Sequence, residues 1–528
     1  MDIEDRSGAS GGATSTAVVG DGASSLDVSQ RTDIGQLKKA AVGLGGVLFI
    51  SFAAMSPLTG QLGNVPLAIG LGNGIGAPAG FEIGIVMLAL FCVGYLQMLK
   101  RVPSSGGFYS FISRGLGRPL GMAAGWSSVM AYAVIVGSLL GAFSYFGNIT
   151  IKQFFHVSIP WPVLAFAALA LIGILGHFDV RLNTRILGVA LILEMLVLTV
   201  MIVAVFAKGG GPSGVTVSPI NPVNAFKGLA PGVGIFYAVW SWVGFETIPN
   251  YAEESKNPRR IGGQALFICV IGGGLFFMVA SWAVIVGWGL HSAVHEATVN
   301  GGNYYYDVST KFVGTWLTDV MEWLIMTSSF ACALSFHNTT SRYLYVIGRE
   351  GVFNKKLGRT HPRWESPYVA NAVTVVIVAL LTGAFIASWY AFPSWQAFVK
   401  PFGGWAVAPY YELFGWYAII ATFTVLVNQL ICSIACITFF RQPENQDGWN
   451  IWTTGVFPVL SVGAMGYVLY LLWHNLSAIG GGGVDFVQAI PWICIAWMAL
   501  GLILALVMKA RSPQKYEVLG RMVNTGIE

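Results

Sequence analysis

The sequence SFAAMSPLTGQLGNVPLAIG, residues 51–70, lies inside an apolar run that begins near Ala40. A helix that spans a bilayer needs about 20 apolar residues, yet this stretch has helix-breaking residues in its middle. Pro57 has no N–H to donate and disfavours helical geometry at Ser56, and Gly60 relaxes the backbone again. Within lipid an unpaired backbone N–H or C=O is costly, so a break is tolerated only beside protein, water or a ligand.

The rest of the chain has the composition of a polytopic membrane protein. Of its 528 residues, 55% are hydrophobic and 10% are charged, and the mean hydropathy is +0.67. A soluble fold of this size does not bury so much apolar surface. We therefore expect an all-α membrane protein with twelve transmembrane helices. The predicted spans are 40–70, 80–99, 119–148, 161–178, 184–207, 228–254, 262–289, 315–346, 369–388, 411–440, 452–474 and 487–508.

Basic residues orient these spans. With the N-terminus inside, 24 of the 29 Lys and Arg residues fall on the cytoplasmic side, as the positive-inside rule requires. The five on the outer side are Lys152, Lys208, Lys227, Lys311 and Lys400. The excess of Lys and Arg over Asp and Glu therefore reflects the orientation of the spans and does not indicate nucleic-acid binding. We expect a multi-pass protein of the cell membrane with both termini cytoplasmic, the tails being 1–38, which is predicted to be disordered, and 511–528.

A second interruption is predicted in YAVWSWVGFETIPNYAEES, residues 237–255, around Gly244 and Pro249. The two interrupted spans run in opposite directions and lie five spans apart. This pattern is typical of an inverted repeat with a binding site at the repeat interface. We expect a transporter domain at 39–510, with repeats at about 40–207 and 228–440 and extra helices at 452–508.

Broken helices can bind a small zwitterion through their backbone. A half-helix that begins near Thr59–Gly60 would present bare N–H groups and a positive partial charge to a carboxylate. Carbonyls near 53–55 and 240–242 would suit an ammonium group. The alternative is that Pro and Gly merely kink packed helices. The candidate substrate-binding residues are Ala54, Met55, Ser56, Pro57, Leu58, Thr59, Gly60, Tyr132, Trp240, Ser241, Trp242, Val243 and Gly244.

Several stretches resemble the amino acid–polyamine–organocation superfamily of permeases. They are WSWVGFE (240–246), EESKNPRR (253–260), GGFYSFISRGLGRPLGMAAGW (106–126) and SRYLYVIGREGVFNKKLGRTHPRWESPYVA (341–370). The resemblance implies a five-plus-five inverted repeat, alternating access, and symport or exchange. It also implies that Trp240 covers the substrate and that residues 56–60 contact it. Many members have a Gly-rich string where this chain has SPLTG.

Two glutamates in apolar spans are candidates for proton coupling or sensing. Glu194 lies deep in span 5, where a carboxylate costs at least ~2.5 kcal/mol on insertion scales. It either couples protons or stays protonated and bonds a neighbouring carbonyl. Glu246 follows the second break and either senses protons or satisfies bare N–H groups of the inner half-helix. Sodium is the smaller alternative, with Thr327, Ser328 and Ser329 as ligands unless they bond their own helix.

The sequence lacks the motifs of several other protein classes. Its six Cys residues lie in apolar segments, so neither a disulfide framework nor a metal site is expected. No phosphate-binding loop or catalytic triad is found, and we expect neither an enzyme nor a cofactor. The leading hypothesis is a secondary amino acid transporter driven by protons or exchange. An amine or polyamine permease and a non-transporting membrane sensor are the alternatives.

Overall fold

The structure is a computed structural model that describes residues 42–520 apart from 103, 105, 179, 253 and 480–483. The predicted disordered tail at 1–38 and residues 521–528 lie outside the described residues. Within the described residues there is no β-strand, and one isolated bridge pairs Val42 with Ser255. The predicted all-α class is confirmed.

The description that follows uses seventeen helices. They are α1 Leu44–Met55, α2 Pro57–Thr59, α3 Ala77–Arg101, α4 Phe108–Leu116, α5 Arg118–Phe155, α6 Trp161–Leu175, α7 Val180–Ala207, α8 Pro231–Trp240, α9 Pro258–Phe267, α10 Gly274–Trp288, α11 Tyr304–Phe312, α12 Thr315–Arg349, α13 Tyr368–Ala391, α14 Gly415–Arg441, α15 Phe457–Ile479, α16 Asp485–Arg511 and α17 Pro513–Val518. Shorter helical turns connect several of them.

Nine helical runs in the described part of the chain are long and apolar enough to cross a membrane. The run Leu44–Arg101 has 58 residues and covers two of the predicted spans. Helix α6 has only 15 residues, and the predicted sixth span is split after α8. These features account for the difference between nine qualifying runs and twelve predicted spans. The multi-pass membrane class is established, and the count of twelve stays a prediction.

The first break falls at Ser56, between α1 and α2. Ser56 adopts φ 46° and ψ 76°, a left-handed conformation that residues other than glycine rarely take. Helical geometry resumes at Pro57, continues through the π-helical turn Gly60–Asn64 and reaches the turn Ala68–Asn73, where Gly72 is non-helical (φ −113°, ψ −117°). The second half therefore starts earlier than the predicted Thr59–Gly60, because the fixed φ of proline suits the first helical position.

The second break lies between α8 and the 3-10 turn Phe245–Tyr251. Gly244 has φ 124°, a conformation that a residue with a side chain adopts only under strain. Trp242 lies two residues before Gly244 and is completely buried. The Nε1 of Trp242 donates to the carbonyl of Val270 over 3.1 Å. These contacts tie the break to the segment before α10.

Candidate functional site

The two breaks lie against each other. A Cβ built on Gly244 would be 2.5 Å from the Cβ of Ala54, close to the end of α1. In the same region Asn64 Nδ2 donates to Ser241 Oγ over 2.9 Å. The two interrupted stretches thus form one site instead of two separate kinks.

A small cavity occupies this site, and every residue that lines it is buried. The volume that the centre of a water molecule can reach is about 20 Å³, which is room for about one or two waters. The lining residues are Ala54, Met55, Ser56, Thr59, Gly60 and Asn64 from the first broken helix, Trp240, Ser241 and Val243 from the second, and Ile135, Leu139, Cys332, Phe336 and Phe414. This conformation is closed, and a solute larger than water enters only if part of the lining moves.

The cavity lining is neutral. Its polar side chains are Ser56, Thr59, Asn64 and Ser241, and its other walls are apolar or sulfur-containing. Asn64 Oδ1 is buried and has no hydrogen-bond partner. Because buried polar atoms are nearly always paired, this oxygen is a candidate acceptor for a bound molecule.

Glu194 of α7 reaches the first break. Its carboxylate accepts a hydrogen bond from the backbone N–H of Leu58, with 3.2 Å between Oε2 and N. Leu58 follows Pro57, so it carries the first N–H of this half-helix. Glu194 is 2% exposed. The positive partial charge of the helix N-terminus therefore stabilises the ionised side chain.

Ser328 of α12 lies on the other side of the same break. The N–H of Thr59 donates to Ser328 Oγ over 3.3 Å, and the hydroxyls of Ser56 and Ser328 are 2.7 Å apart. The other two hydroxyls considered as sodium ligands, those of Thr327 and Ser329, donate to carbonyls of their own helix. Ser328 thus accepts from the backbone of the broken segment, and Ser329 Oγ also lies within 3.4 Å of the Thr59 hydroxyl.

Glu246 has the corresponding position at the second break. Its Oε2 accepts from the N–H of Gly244 over 2.9 Å, and its Oε1 accepts from the hydroxyl of Tyr132 over 2.9 Å. The hydroxyl of Tyr95 donates to the Glu246 carbonyl over 2.7 Å. Each break thus has one buried carboxylate that accepts a hydrogen bond from its backbone.

Aromatic side chains cover one side of the cavity. The rings of Trp240 and Phe414 are 4.6 Å apart, and Phe414 also stacks on Tyr410. Tyr410 stacks on Tyr145 at 4.9 Å and donates its hydroxyl to the carbonyl of Gly63 over 2.9 Å. This aromatic layer holds the helix after the first break against α5 and the segment before α14.

The structure brings together eight of the thirteen predicted substrate-binding residues in the cavity lining. They are Ala54, Met55, Ser56, Thr59, Gly60, Trp240, Ser241 and Val243. The other five, Pro57, Leu58, Tyr132, Trp242 and Gly244, lie outside the lining but belong to the breaks or to their hydrogen-bond partners. Tyr132 contacts Glu246 instead of the cavity.

Six lining residues were absent from the sequence predictions: Asn64, Ile135, Leu139, Cys332, Phe336 and Phe414. Asn64 was within reach of sequence reasoning, because it lies four residues after Gly60 and so shares its helix face. The others come from spans without a sequence break at these positions, where no local signal separates a cavity wall from ordinary packing.

Comparisons with known proteins agree on one family. A family model described as amino acid permease matches residues 42–499. The chain is 25% identical over 370 residues to a low-affinity putrescine importer of Escherichia coli, covering 68% of this chain and 77% of the importer. It is 21% identical over 381 residues to a branched-chain amino acid permease of Bacillus subtilis, covering 68% of this chain and 76% of the permease.

A further relative and a solved structure extend the picture. An aspartate-proton symporter of Bacillus subtilis is 22% identical over 327 residues, covering 60% of this chain and 61% of the symporter. The crystal structure of a manganese transporter of Eremococcus coleocola superposes with a TM-score of 0.57 at 11% identity, covering 92% of this chain and 99% of that chain. The structural match shows a shared fold only.

Proposed function

This chain belongs to the amino acid permease family, and we propose that it moves a zwitterionic amino acid across the cell membrane by alternating access. It is a multi-pass membrane transporter with a small-molecule substrate. The observation that carries the proposal is the meeting of two broken helices at a closed, neutral cavity. Such a cavity lets backbone groups bind opposite charges without a charged side chain in contact with the substrate.

The proposed architecture has twelve spans and an inverted repeat. Helical segments occur in all twelve predicted stretches, and the two breaks lie in the first and sixth of them. This distribution supports repeats at about 40–207 and 228–440, followed by two extra helices at 452–508. The distribution of Lys and Arg supports cytoplasmic termini.

The neutral lining favours an amino acid over a polyamine. A polyamine has two or more positive charges, and burying an ammonium without a counter-charge is strongly unfavourable. Among the residues that line the cavity none is a carboxylate, and the carboxylates of Glu194 and Glu246 are already hydrogen-bonded to backbone N–H groups. A zwitterion carries its own counter-charge. The putrescine importer among the relatives keeps the amine permease as the second candidate.

We propose that transport is coupled to protons through Glu194, with exchange as the other mode. Glu194 is a buried carboxylate at the edge of the site and has no ion-pair partner in the described part of the chain. Glu246 is assigned a structural role at the second break with a pH-dependent consequence. Sodium is less well supported, because two of the three candidate hydroxyls bond their own helix.

Uptake into proteoliposomes tests the proposal. Each of the twenty amino acids, putrescine and ethanolamine is supplied as labelled solute, with a pH gradient, a sodium gradient or unlabelled internal solute. We expect uptake of at least one amino acid that a pH gradient or internal amino acid accelerates. Uptake of amines alone would replace the first candidate by the second. No uptake of any solute, with binding retained, would support a sensor.

A variant with a blocked cavity tests the site, and a substitution in open space is its control. Gly60→Trp fills the space beside Ser241, where a built Cβ is 3.7 Å from the Ser241 Cβ. Gly383→Ala changes a glycine of α13 whose built Cβ meets nothing within 4 Å. We expect the first variant to lose uptake and the second to retain it.

A further inference from the structure

The half-helix that follows the first break has no vacant N–H group in this closed conformation. Its first residue, Pro57, has no N–H, and the next three N–H groups already have acceptors. Those of Leu58, Thr59 and Gly60 donate to Glu194 Oε2 (3.2 Å), Ser328 Oγ (3.3 Å) and the Ser56 carbonyl (2.7 Å). A carboxylate of the protein therefore holds the place that the proposed function gives to the carboxylate of the substrate.

A second observation indicates that a ligand binds here. Asn64 lies two turns further along the same helix, which continues without interruption from Pro57 through Asn64. It is 4% exposed and lines the cavity, and its Oδ1 has no partner. This acceptor suits an N–H donor such as the ammonium group of a zwitterion. The carboxylate of the same zwitterion would then lie near the start of this helix.

Two ionised carboxylates cannot share this helix end at low cost. Like charges that share one buried site strongly oppose each other's ionisation. An ionised carboxylate bonds N–H groups about twice as strongly as a neutral acceptor does. Protonation of Glu194 would thus weaken its bond to Leu58 and remove the repulsion at the same time.

We propose that Glu194 and the substrate carboxylate compete for the N–H group of Leu58, so that the substrate binds only when Glu194 has taken up one proton. The inference rests on the proposed function and adds to it the reason why substrate and proton move together. No bond is made or broken except to the transferred proton, which passes from water to a carboxylate oxygen of Glu194. The site then holds a neutral acid and a zwitterion, so it carries no net charge.

The surroundings of Glu194 contain few other titratable groups. Helices α1, α2 and α10, which pack against α7, have none in their described sequences. Helix α12 presents the Cys332 thiol, which interacts electrostatically with Glu194 and donates to the carbonyl of Ala54 over 2.9 Å. Helix α11 carries Asp307, Lys311 and tyrosines. Asp307 accepts from the side-chain amide of Asn300, and Lys311 donates to a carbonyl of α10.

Binding to the purified protein as a function of pH tests the competition. The protein is titrated with each of the twenty amino acids, and with the amine made by decarboxylation of each one that binds. For an amino acid we expect the Kd to rise about tenfold per pH unit above the pKa of Glu194, the limit for one linked proton. In a weakly buffered solution, binding should take up as much as one proton per molecule. The matching amine should show neither effect.

Variants separate this inference from the proposed function. Glu194→Gln keeps an acceptor for Leu58 but cannot titrate, so its Kd should not vary with pH. Glu322→Gln changes a second buried carboxyl, on α12, whose backbone carbonyl accepts from the Thr150 hydroxyl, and this variant should keep the wild-type slope. Binding without pH dependence or proton uptake in the wild type, or a wild-type slope in Glu194→Gln, would overturn the competition and leave the transporter in place. Failure of every amino acid to bind at any pH would overturn both.

Discussion

At the scale of single residues, the site depends on a backbone position that only glycine can occupy without strain. Gly244 combines φ 124° with a built Cβ only 2.5 Å from the Cβ of Ala54. Such a contact cannot be relieved by rotating a flexible side chain, because both carbons are attached to backbone. The close approach of the two breaks therefore requires glycine at this position.

Gly244→Ala should accordingly reduce both stability and transport. Strained conformations of this kind cost on the order of 1–3 kcal/mol, and the clash adds to that cost. We expect a lower thermal midpoint of the purified protein and little uptake. Adding Ala54→Gly should recover part of the loss, because it removes the contact and leaves the strained φ. Equal midpoints for Gly244→Ala and the open-space control Gly383→Ala would contradict this account.

Single residues also show which features of the site can be predicted from the sequence. Pro57 and Gly244 are breaker residues within apolar runs, so both breaks were predictable from local chemistry. The hydrogen bond from Leu58 to Glu194 joins residues 136 positions apart, and nothing local specifies it. Phe414 and Ile135 lie in spans whose hydrophobicity is similar on every face. The sequence therefore does not indicate which face lines the cavity.

At the scale of helices, an ion pair joins segments around the two breaks. Arg342 of α12 donates through Nε and Nη2 to Glu254 Oε2, over 3.0 and 2.7 Å, and both side chains are buried. The guanidinium also lies 4.3 Å from the ring centroid of Tyr251. The backbone of Val42 bonds the Glu254 carbonyl and the N–H of Lys256. The chain before α1, the chain after the second break and α12 are thus fastened together.

Removing either partner of this pair should destabilise the protein. Breaking a buried ion pair leaves one charge uncompensated and costs about 3–5 kcal/mol. We expect Glu254→Ala and Arg342→Ala each to lower the thermal midpoint strongly. The double variant should lose much less than the two losses added together, because no lone charge remains. Additive losses would show that the two side chains act independently.

The exposed pair between Arg101 and Asp447 is the matched control. Its side chains are 39% and 66% exposed, and the two atoms are 2.8 Å apart. The Arg101 hydrogen bond lowers the pKa of the Asp447 carboxyl from its ordinary value of 3.8. Any contribution to stability is therefore present at neutral pH and is lost on acidification through that lowered pKa. Because exposed pairs contribute little, Asp447→Asn should leave the midpoint at pH 7 unchanged.

At the scale of the whole molecule, the last residues that the structure describes return to the helix bundle. The N–H of Gly520 donates both to the hydroxyl of Tyr109 (3.0 Å) and to Glu350 Oε1 (2.9 Å), and Leu519 is fully buried. Arg118 donates to the carbonyl of Glu517 over 3.1 Å. The segment after α16 thereby connects α4, the start of α5 and the end of α12. Composition predicted a membrane protein with a C-terminal tail, but this docking joins residues about 400 positions apart and has no local signature.

This docking should protect the surface beneath it. A Cβ built on Gly520, which has φ +67°, would lie 2.3 Å from the Cβ of Ser113, so Gly520→Ala should displace the segment. With Ser113→Cys as a reporter, we expect slow labelling by a membrane-impermeant maleimide in inside-out vesicles. Labelling should be fast after Gly520→Ala or after deletion of residues 513–528. Deletion of 521–528 alone is the control and should leave labelling slow. Equal rates in all forms would show that the segment does not cover this surface, and labelling only in right-side-out vesicles would reverse the proposed orientation.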